Sequence, residues 1–274
     1  MTPYKDKVAV VTGAGSGIGR SLAQELARRG AKGVICDVNT DRIEKVVREI
    51  EASGGKATGL TLDVSEYESV KKAVEDAFAT YGRLDYIFNN AGIAIAGEVR
   101  EFSIDDWRRV LNINLYGVVH GVAAAYPIMV KQGFGHIVNI ASVEGLAPFP
   151  GSISYVTSKY GVVGLSNALR VEGKPYGVKV SVVCPGYIKT AIWDDCKMVN
   201  MNREELLKIL NYIPGISPDE CARRILRGVE RNKATIVITA FAKTFWMLQR
   251  ASPGLMLLVM GVFRKQFRNA RIRD

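Results

Sequence analysis

Residues 11–20, VTGAGSGIGR, close an apolar β-branched run and open a helical pattern, with four glycines, of which those at 13, 17 and 19 carry the pattern. Glycine permits a tight turn and lets backbone N–H groups approach a pyrophosphate, whose charge is favoured at a helix N-terminus. The same glycines occur in ordinary turns, but their place directly after the first strand favours a dinucleotide site with Gly13, Ser16, Gly17, Ile18 and Gly19 as its cradle. The rest of the chain repeats this order of strand and helix. Residues 8–11, 34–36, 58–62, 84–88, 136–140, 178–183 and 235–238 read as strands. Residues 18–29, 41–53, 65–81, a pair over about 103–132, 153–176 and 218–231 carry helical apolar stripes. Such alternation implies an α/β fold, a doubly wound parallel sheet with helices on both faces that binds ligands at the carboxyl ends of its strands.

The second strand closes on Asp37, 18 residues past Gly19. A carboxylate there can accept both hydroxyls of an adenosine ribose and repels a 2′-phosphate, so NAD is favoured over NADP. Ser16 agrees, since the glycine turn offers no basic side chain to an extra phosphate. Arg42 lies close enough to keep NADP as the alternative. Asp37 can also be read as a helix cap, a role that Asn39 or Thr40 fills equally well.

A chain of 274 residues with 48% hydrophobic and 23% charged residues is globular in composition, and nothing in it reads as a linker or repeat. The net charge of +10 is uneven. Residues 241–274 hold seven basic residues, Lys243 through Arg273, against Asp274 alone, which accounts for six of the ten charges. No interleaved aromatic and basic stripe accompanies them, so nucleic acid is not the expected partner. Cys36, Cys184, Cys196 and Cys221 show no C-x-x-C spacing and are expected to be free thiols. The first residues enter a strand without the apolar core and cleavage site of a signal peptide, and a cytoplasmic protein is expected. His120 and His136 lie near no cluster at ligand spacing, so no metal is expected.

In SISYVTSKYG, residues 152–161, Tyr155 and Lys159 stand one helical turn apart on one face. Surface decoration would account for that spacing; so would proton transfer. A free phenol, with a pKa of about 10, is ionised in only about one molecule per thousand at neutral pH, a cost of about 4 kcal/mol. A nearby ammonium favours the phenolate, and Lys159 is therefore expected to acidify Tyr155.

TGAGSGIG, NNAG at 89–92, NINLYG at 112–117, Ser142 in NIASVEG, YVTSK at 155–159 and VVCPGYIKT at 182–190 together closely resemble the short-chain dehydrogenase/reductase family, in order and in register from about residue 7 to 237. The resemblance implies a Rossmann-like sheet of seven strands, a nicotinamide cofactor, and hydride transfer between an alcohol and a carbonyl. It makes Tyr155 the general acid/base, Lys159 its activator, Ser142 the group orienting the substrate oxygen, and Asn114 the support of a proton-relay water. It also places Asp63 and Val64 at the adenine and Asn90, Ala91 and Gly92 along the cofactor. Pro185, Gly186, Ile188 and Thr190 fall around the carboxamide and diphosphate. From the residues alone, Ser142 could equally make a local turn hydrogen bond, and a mid-helix Asn114 is usually solvated or back-bonded.

Residues 1–240 thus form the Rossmann domain and 241–274 an extension. Residues 187–217 interrupt the alternation at the ligand edge and read as a lid. Its Ile192, Trp193, Met198, Met201, Tyr212 and Ile213, with Ile93, Leu146 and Phe149, predict an apolar pocket for a hydrophobic alcohol or carbonyl substrate such as a steroid, retinoid or lipid. Packing among themselves is the equal alternative. In the extension, the apolar run 255–263 would be about 14 Å long as a helix, too short for a bilayer core of about 30 Å. Phe263, Phe267 and Ala270 follow at i, i+4 and i+7 with Arg264, Lys265, Arg268 and Arg271 on the other sides. Peripheral contact with an anionic membrane is favoured over packing on the domain or a partner. The expected assembly is a homodimer or homotetramer. The alternative function is a catalytically silent nucleotide-sensing or membrane-surface scaffold.

Overall fold

All five residues of β1 (Val8–Thr12) are buried, as a strand covered on both faces requires. The computed structural model describes residues 3–272; Arg273 and Asp274 of the basic extension lie outside the described residues. After β1 come α1 (Gly17–Arg28), β2 (Lys32–Asp37), α2 (Thr40–Ala52), β3 (Lys56–Thr61), α3 (Tyr67–Tyr81), β4 (Tyr86–Asn89), the short β5 (Ile95–Ala96), α4 (Ile104–Leu111) and α5 (Gly117–Gln132). The second half holds β6 (Gly135–Ile140), α6 (Ile153–Gly173), β7 (Val178–Pro185), the short β8 (Lys197–Met198), α7 (Arg203–Asn211), α8 (Pro218–Glu230), β9 (Thr235–Ile238), α9 (Ala240–Ala251) and α10 (Pro253–Asn269). Seven strands pair in parallel in the order β3-β2-β1-β4-β6-β7-β9, a Rossmann-like sheet. Leu22, Leu26, Ile43, Ile225 and Leu226 cover one face from α1, α2 and α8; Val70, Val74, Ala125 and Met129 cover the other from α3 and α5. Strand order reverses between β1 and β4, which opens a crevice at their carboxyl ends.

Three local features differ from expectation. Between α4 and α5 the helix widens into one π turn, Asn112–Tyr116, which carries Asn114 into the interior. The whole run Ile104–Gln132 has the length and mean hydropathy, 1.4, of a membrane span, yet it packs on α3 and α6 and buries Val110, Val118, Ala125 and Met129. The segment 187–217, read above as a lid, is built rather than loose: β8 pairs in parallel with β5, and Asn202 caps α7 by accepting from the Glu205 N–H at 3.1 Å. Arg203 ties its turns together through the carbonyls of Trp193, Asp194 and Cys196, and Lys197 bonds Asp106 of α4 at 2.6 Å.

The third difference is the extension. α9 and α10 form a hairpin docked on the domain. Ala270 is fully buried, its carbonyl accepts from the Asn202 N–H at 2.8 Å, and Arg268 and Arg271 each meet a glutamate, Glu98 and Glu101, at 2.5 Å. Phe263, Phe267 and Ala270, read above as a lipid-facing stripe, face inward instead: Phe263 packs with Ala147 and Met256, and Phe267 with Ala270 and the lid.

Candidate active site

The glycine turn is built around one tight approach. Gly13 has φ +63°, in the left-handed region that favours glycine, and a Cβ on Gly19 would sit 2.1 Å from the Gly13 carbonyl oxygen. Asn90 braces the turn by donating to the Thr12 and Gly13 carbonyls at 3.0 and 3.1 Å, while the N–H groups of Asn90 and Ala91 both donate to the Thr12 hydroxyl. Ser16 occupies the N-cap of α1 without capping it through its side chain, so the helix presents an uncapped N-terminus at the crevice. At the end of β2, Asp37 accepts from the Gly15 N–H at 2.9 Å and the Asn39 N–H at 3.0 Å, which fixes its carboxylate beside the turn. A shape-restricted glycine cradle, an open helix N-terminus and a fixed carboxylate fit a dinucleotide.

One cleft of about 980 Å³ runs from this cradle to the lid. Gly13, Ser16, Gly17, Ile18, Asp37, Asp63, Val64, Asn90, Ala91, Gly92, Ser142, Tyr155, Lys159, Pro185, Gly186, Ile188 and Thr190 all line it. Gly19 and Asn114 stand behind its wall. Asp63 accepts from Ser65 N–H and hydroxyl, and Val64 takes a hydrogen bond from His120 through its carbonyl at 2.9 Å. Thr190 comes close over α1: a Cβ on Gly17 would lie 3.3 Å from its methyl.

Ser142 follows β6 and caps a 3₁₀ turn, Val143–Gly145, its oxygen accepting from the Glu144 N–H at 3.1 Å. The turn hydrogen bond and the cleft position therefore coexist, and the hydroxyl proton, not used by the turn, is directed at the Tyr155 phenol. Asn114 clamps the Ile93 backbone: Oδ1 accepts from its N–H at 2.8 Å, and Nδ2 donates to its carbonyl at 2.9 Å and to the Ser158 hydroxyl at 3.3 Å. With both amide protons committed, only the second lone pair of Oδ1 could serve a relay water.

Tyr155 and Lys159 share a face of α6, the ammonium nitrogen 5.3 Å from the phenol ring centroid. The expected acidification of the phenol is not what the surroundings produce. Burial raises the Tyr155 pKa above its ordinary value, and the Glu144 carboxylate adds to the rise, while a hydrogen bond from the Ser142 side chain opposes it. Lys159, itself pushed down to about 8 by burial, spends its ammonium on the Ile140 carbonyl at 2.9 Å. Desolvation of the phenol outweighs the cation.

Glu144 is the residue that sequence reasoning passed over. It lines the cleft two positions after Ser142, accepts from the Ser152 hydroxyl at 2.5 Å, and is pushed up to about 7 by burial, with the Ser152 hydrogen bond and the Lys159 charge working against that. Its only signal was a lone carboxylate in an otherwise apolar segment. Thr12 was passed over as well, hidden by its strand position. At the far end, Ile93, Phe149, Ile192, Trp193, Tyr212 and Ile213 line the cleft as expected, but Met198 and Met201 pack with Ala94 and Cys196, and Leu146 packs with Val162 and Cys184. Their places are taken by Leu206, Ile209 and Leu210 of α7 and by Phe263, Gln266 and Phe267 of α10.

A seven-stranded parallel sheet with a glycine-turn cradle and a serine, tyrosine and lysine in one cleft defines a nucleotide-dependent α/β enzyme class. The short chain dehydrogenase family model matches residues 7–198, and the chain belongs to that family and is an oxidoreductase of it. It is 37% identical over 254 residues to a Mycobacterium tuberculosis chain that bears the oxidoreductase name SadH, covering 91% of this chain and 92% of that one. It is 42% identical over 205 residues to the cyclohexanol dehydrogenase of Acinetobacter sp. strain SE19, covering 73% of this chain and 81% of that one. A short chain dehydrogenase/reductase from Burkholderia phymatum, solved in complex with NAD, superposes with a TM-score of 0.84 at 30% identity, covering 93% of this chain and 96% of that one.

Proposed function

We propose that this chain transfers hydride between NAD and a hydrophobic secondary alcohol or ketone. The observation that carries the reading is one continuous cleft with Asp37 and the glycine turn at one end, Ser142, Tyr155 and Lys159 in the middle, and an apolar wall from the lid and α10 at the other. Gly13, Ser16, Gly17 and Ile18 would hold the pyrophosphate, Asp37 the ribose, and the nicotinamide supplies the hydride acceptor or donor. Ser142 donates its hydroxyl proton to the substrate oxygen. Tyr155 Oη gives a proton to a carbonyl oxygen or takes one from an alcohol. The Lys159 charge favours the phenolate as it forms, while its bond to Ile140 holds the ammonium in place. Asn114 keeps the Ile93 backbone rigid beside Gly92. The names of the Acinetobacter and Burkholderia relatives, a cyclohexanol dehydrogenase and an NAD complex, support both halves of this reading. Assembly into a homodimer or homotetramer belongs to it too, supported by Ile153, Tyr160 and Val171, exposed apolar residues on one face of α6.

The test is NADH absorbance during a screen of steroids, retinol, cyclohexanols and long-chain secondary alcohols; absence of turnover with all of them, despite measurable NAD binding, sinks the reading. Cofactor choice is tested separately. Wild-type kcat/KM is expected to be higher with NAD than with NADP, and Asp37→Ala to reduce that ratio about tenfold or more, as loss of a charge-assisted hydrogen bond implies. An unchanged ratio removes Asp37 from cofactor selection.

Glu144 gives a pH prediction. Its carboxylate, ionised above about pH 7, holds the neighbouring phenol protonated. Glu144→Gln removes that charge, so the rise of kcat/KM for alcohol oxidation should shift to lower pH by about one unit. A profile superposable on wild type would show that Glu144 does not act on Tyr155.

A further inference from the structure

The hairpin of α9 and α10 has two faces with different chemistry. Its inner face puts Phe263, Gln266 and Phe267 into the cleft. Its outer face carries large apolar side chains with nothing over them: Met247, Leu255, Leu257, Leu258 and Val262 are 48–72% exposed, gathered around the exposed elbow Ala251, Pro253 and Gly254. On α10, Leu255, Leu258 and Val262 fall at i, i+3 and i+7, so they form one stripe. Met256 and Met260, which interrupt that run, point inward and are buried. Five large apolar side chains exposed together at one helical elbow are more than scattered surface residues.

The charges around the stripe say what covers it. Residues 240–272 contain no aspartate or glutamate. Lys243, Arg250, Arg264 and Lys265 are exposed on the hairpin, and among the described residues none of the four makes an ion pair, whereas Arg268 and Arg271 are held by Glu98 and Glu101 of the domain. Arg250 lies over the Trp246 ring, 5.3 Å from its centroid. A second protein surface would have to meet an apolar elbow ringed by one sign of charge. An anionic bilayer meets both at once, taking the apolar elbow to a depth of about 5–10 Å and setting the basic residues among phosphates.

We propose that the α9–α10 elbow is a docking surface for anionic lipid, and that α10 is shared between the bilayer and the substrate cleft. The elbow inserts Leu255, Leu257, Leu258 and Met247, and the same helix forms the cleft wall through Phe263 and Phe267. A lipophilic substrate dissolved in the bilayer then has a short path to Tyr155. This last step rests on the hydrophobic substrate class proposed above; the docking itself does not.

The full chain is sedimented with vesicles of phosphatidylcholine alone and of phosphatidylcholine mixed with phosphatidylglycerol. Binding is expected to the mixed vesicles, weakened by salt, and little to the neutral ones. Leu258→Glu with Val262→Glu should weaken it by more than about tenfold, and Arg264→Gln with Lys265→Gln by about tenfold or more, since each basic residue near an anionic surface contributes about fivefold. All four positions are outside the cleft, so turnover of a water-soluble secondary alcohol and the melting temperature should stay at wild-type values. No binding to mixed vesicles, or binding indifferent to both double variants, overturns the proposal. So does a fall in particle mass of Leu258→Glu/Val262→Glu by light scattering without lipid, which would assign the face to a second copy of this chain. Failure of every alcohol and ketone to react, with vesicle binding intact, would instead count against the enzymatic reading alone.

Discussion

Tyr155→Phe is expected to lower kcat for alcohol oxidation and for ketone reduction by about a hundredfold to ten-thousandfold, the contribution of a positioned proton-transfer group, while the dissociation constant for NAD moves by less than about threefold. The ring packs on the apolar cluster that holds Cys196 and Leu206, so only the hydroxyl is removed. The surroundings of that hydroxyl predict more than a loss of rate. Burial and Glu144 keep the phenol protonated well above neutral pH. Reduction, which needs the proton in place, should therefore proceed near pH 7, and oxidation, which needs it gone, should climb as pH rises through the alkaline range. The residual activity of Tyr155→Phe should lack that climb. Steady-state rates in both directions from pH 6 to 10, beside a fluorescence titration of NADH binding, check both statements. A variant that keeps its rate, or keeps the climb, removes Tyr155 from the proton path.

What was legible in the sequence was whatever repeats with a period or stands at a fixed offset from a strand end. The seven β-branched runs became the seven strands because a sheet covered on both faces needs continuous apolar residues, as in the fully buried β1. Gly13, Ser16, Gly17 and Ile18 of the cradle line one cleft with Ser142, Tyr155 and Lys159 because strand ends and helix starts in such a sheet converge. Two-residue strands such as β5 and β8 have no period to read, so the segment 187–217 reads as a loop from the sequence, whereas Arg203 and Lys197 tie it down in the fold. The stripe Phe263, Phe267, Ala270 was correctly helical but wrongly assigned, since a period reports that a face is apolar and not what it packs on. The sign of the phenol's shift was illegible for a similar reason: spacing gives the distance to Lys159, whereas desolvation and the Glu144 field depend on everything folded around the pair.

Lys159→Met is expected to divide activity from stability. In the proposed chemistry the ammonium favours the phenolate as it forms, so at pH 7, where Lys159 is charged, its loss should lower kcat for oxidation about a hundredfold or more. For stability the balance runs the other way. Lys159 is buried, and its pKa falls from the model-peptide value of 10.5 to about 8 because burial penalises the charged form. The unfolded chain therefore binds more protons than the folded one between pH 8 and pH 10.5, and stability rises with pH across that window. Below pH 8 the full penalty is present, about 3 kcal/mol for a shift of this size. Methionine carries no such penalty but leaves the Ile140 carbonyl without its partner, a loss of about 1 kcal/mol. The net expectation at pH 7 is a gain of about 2 kcal/mol, or about 4–8 °C in Tm. At pH 10 the advantage should nearly vanish, because the folded wild-type lysine is then neutral. Thermal melts of both proteins at pH 7 and pH 10 measure the difference directly. A variant less stable than wild type at pH 7 would mean that Lys159 serves the fold before it serves the reaction, and that the Ile140 hydrogen bond outweighs the desolvation of its charge.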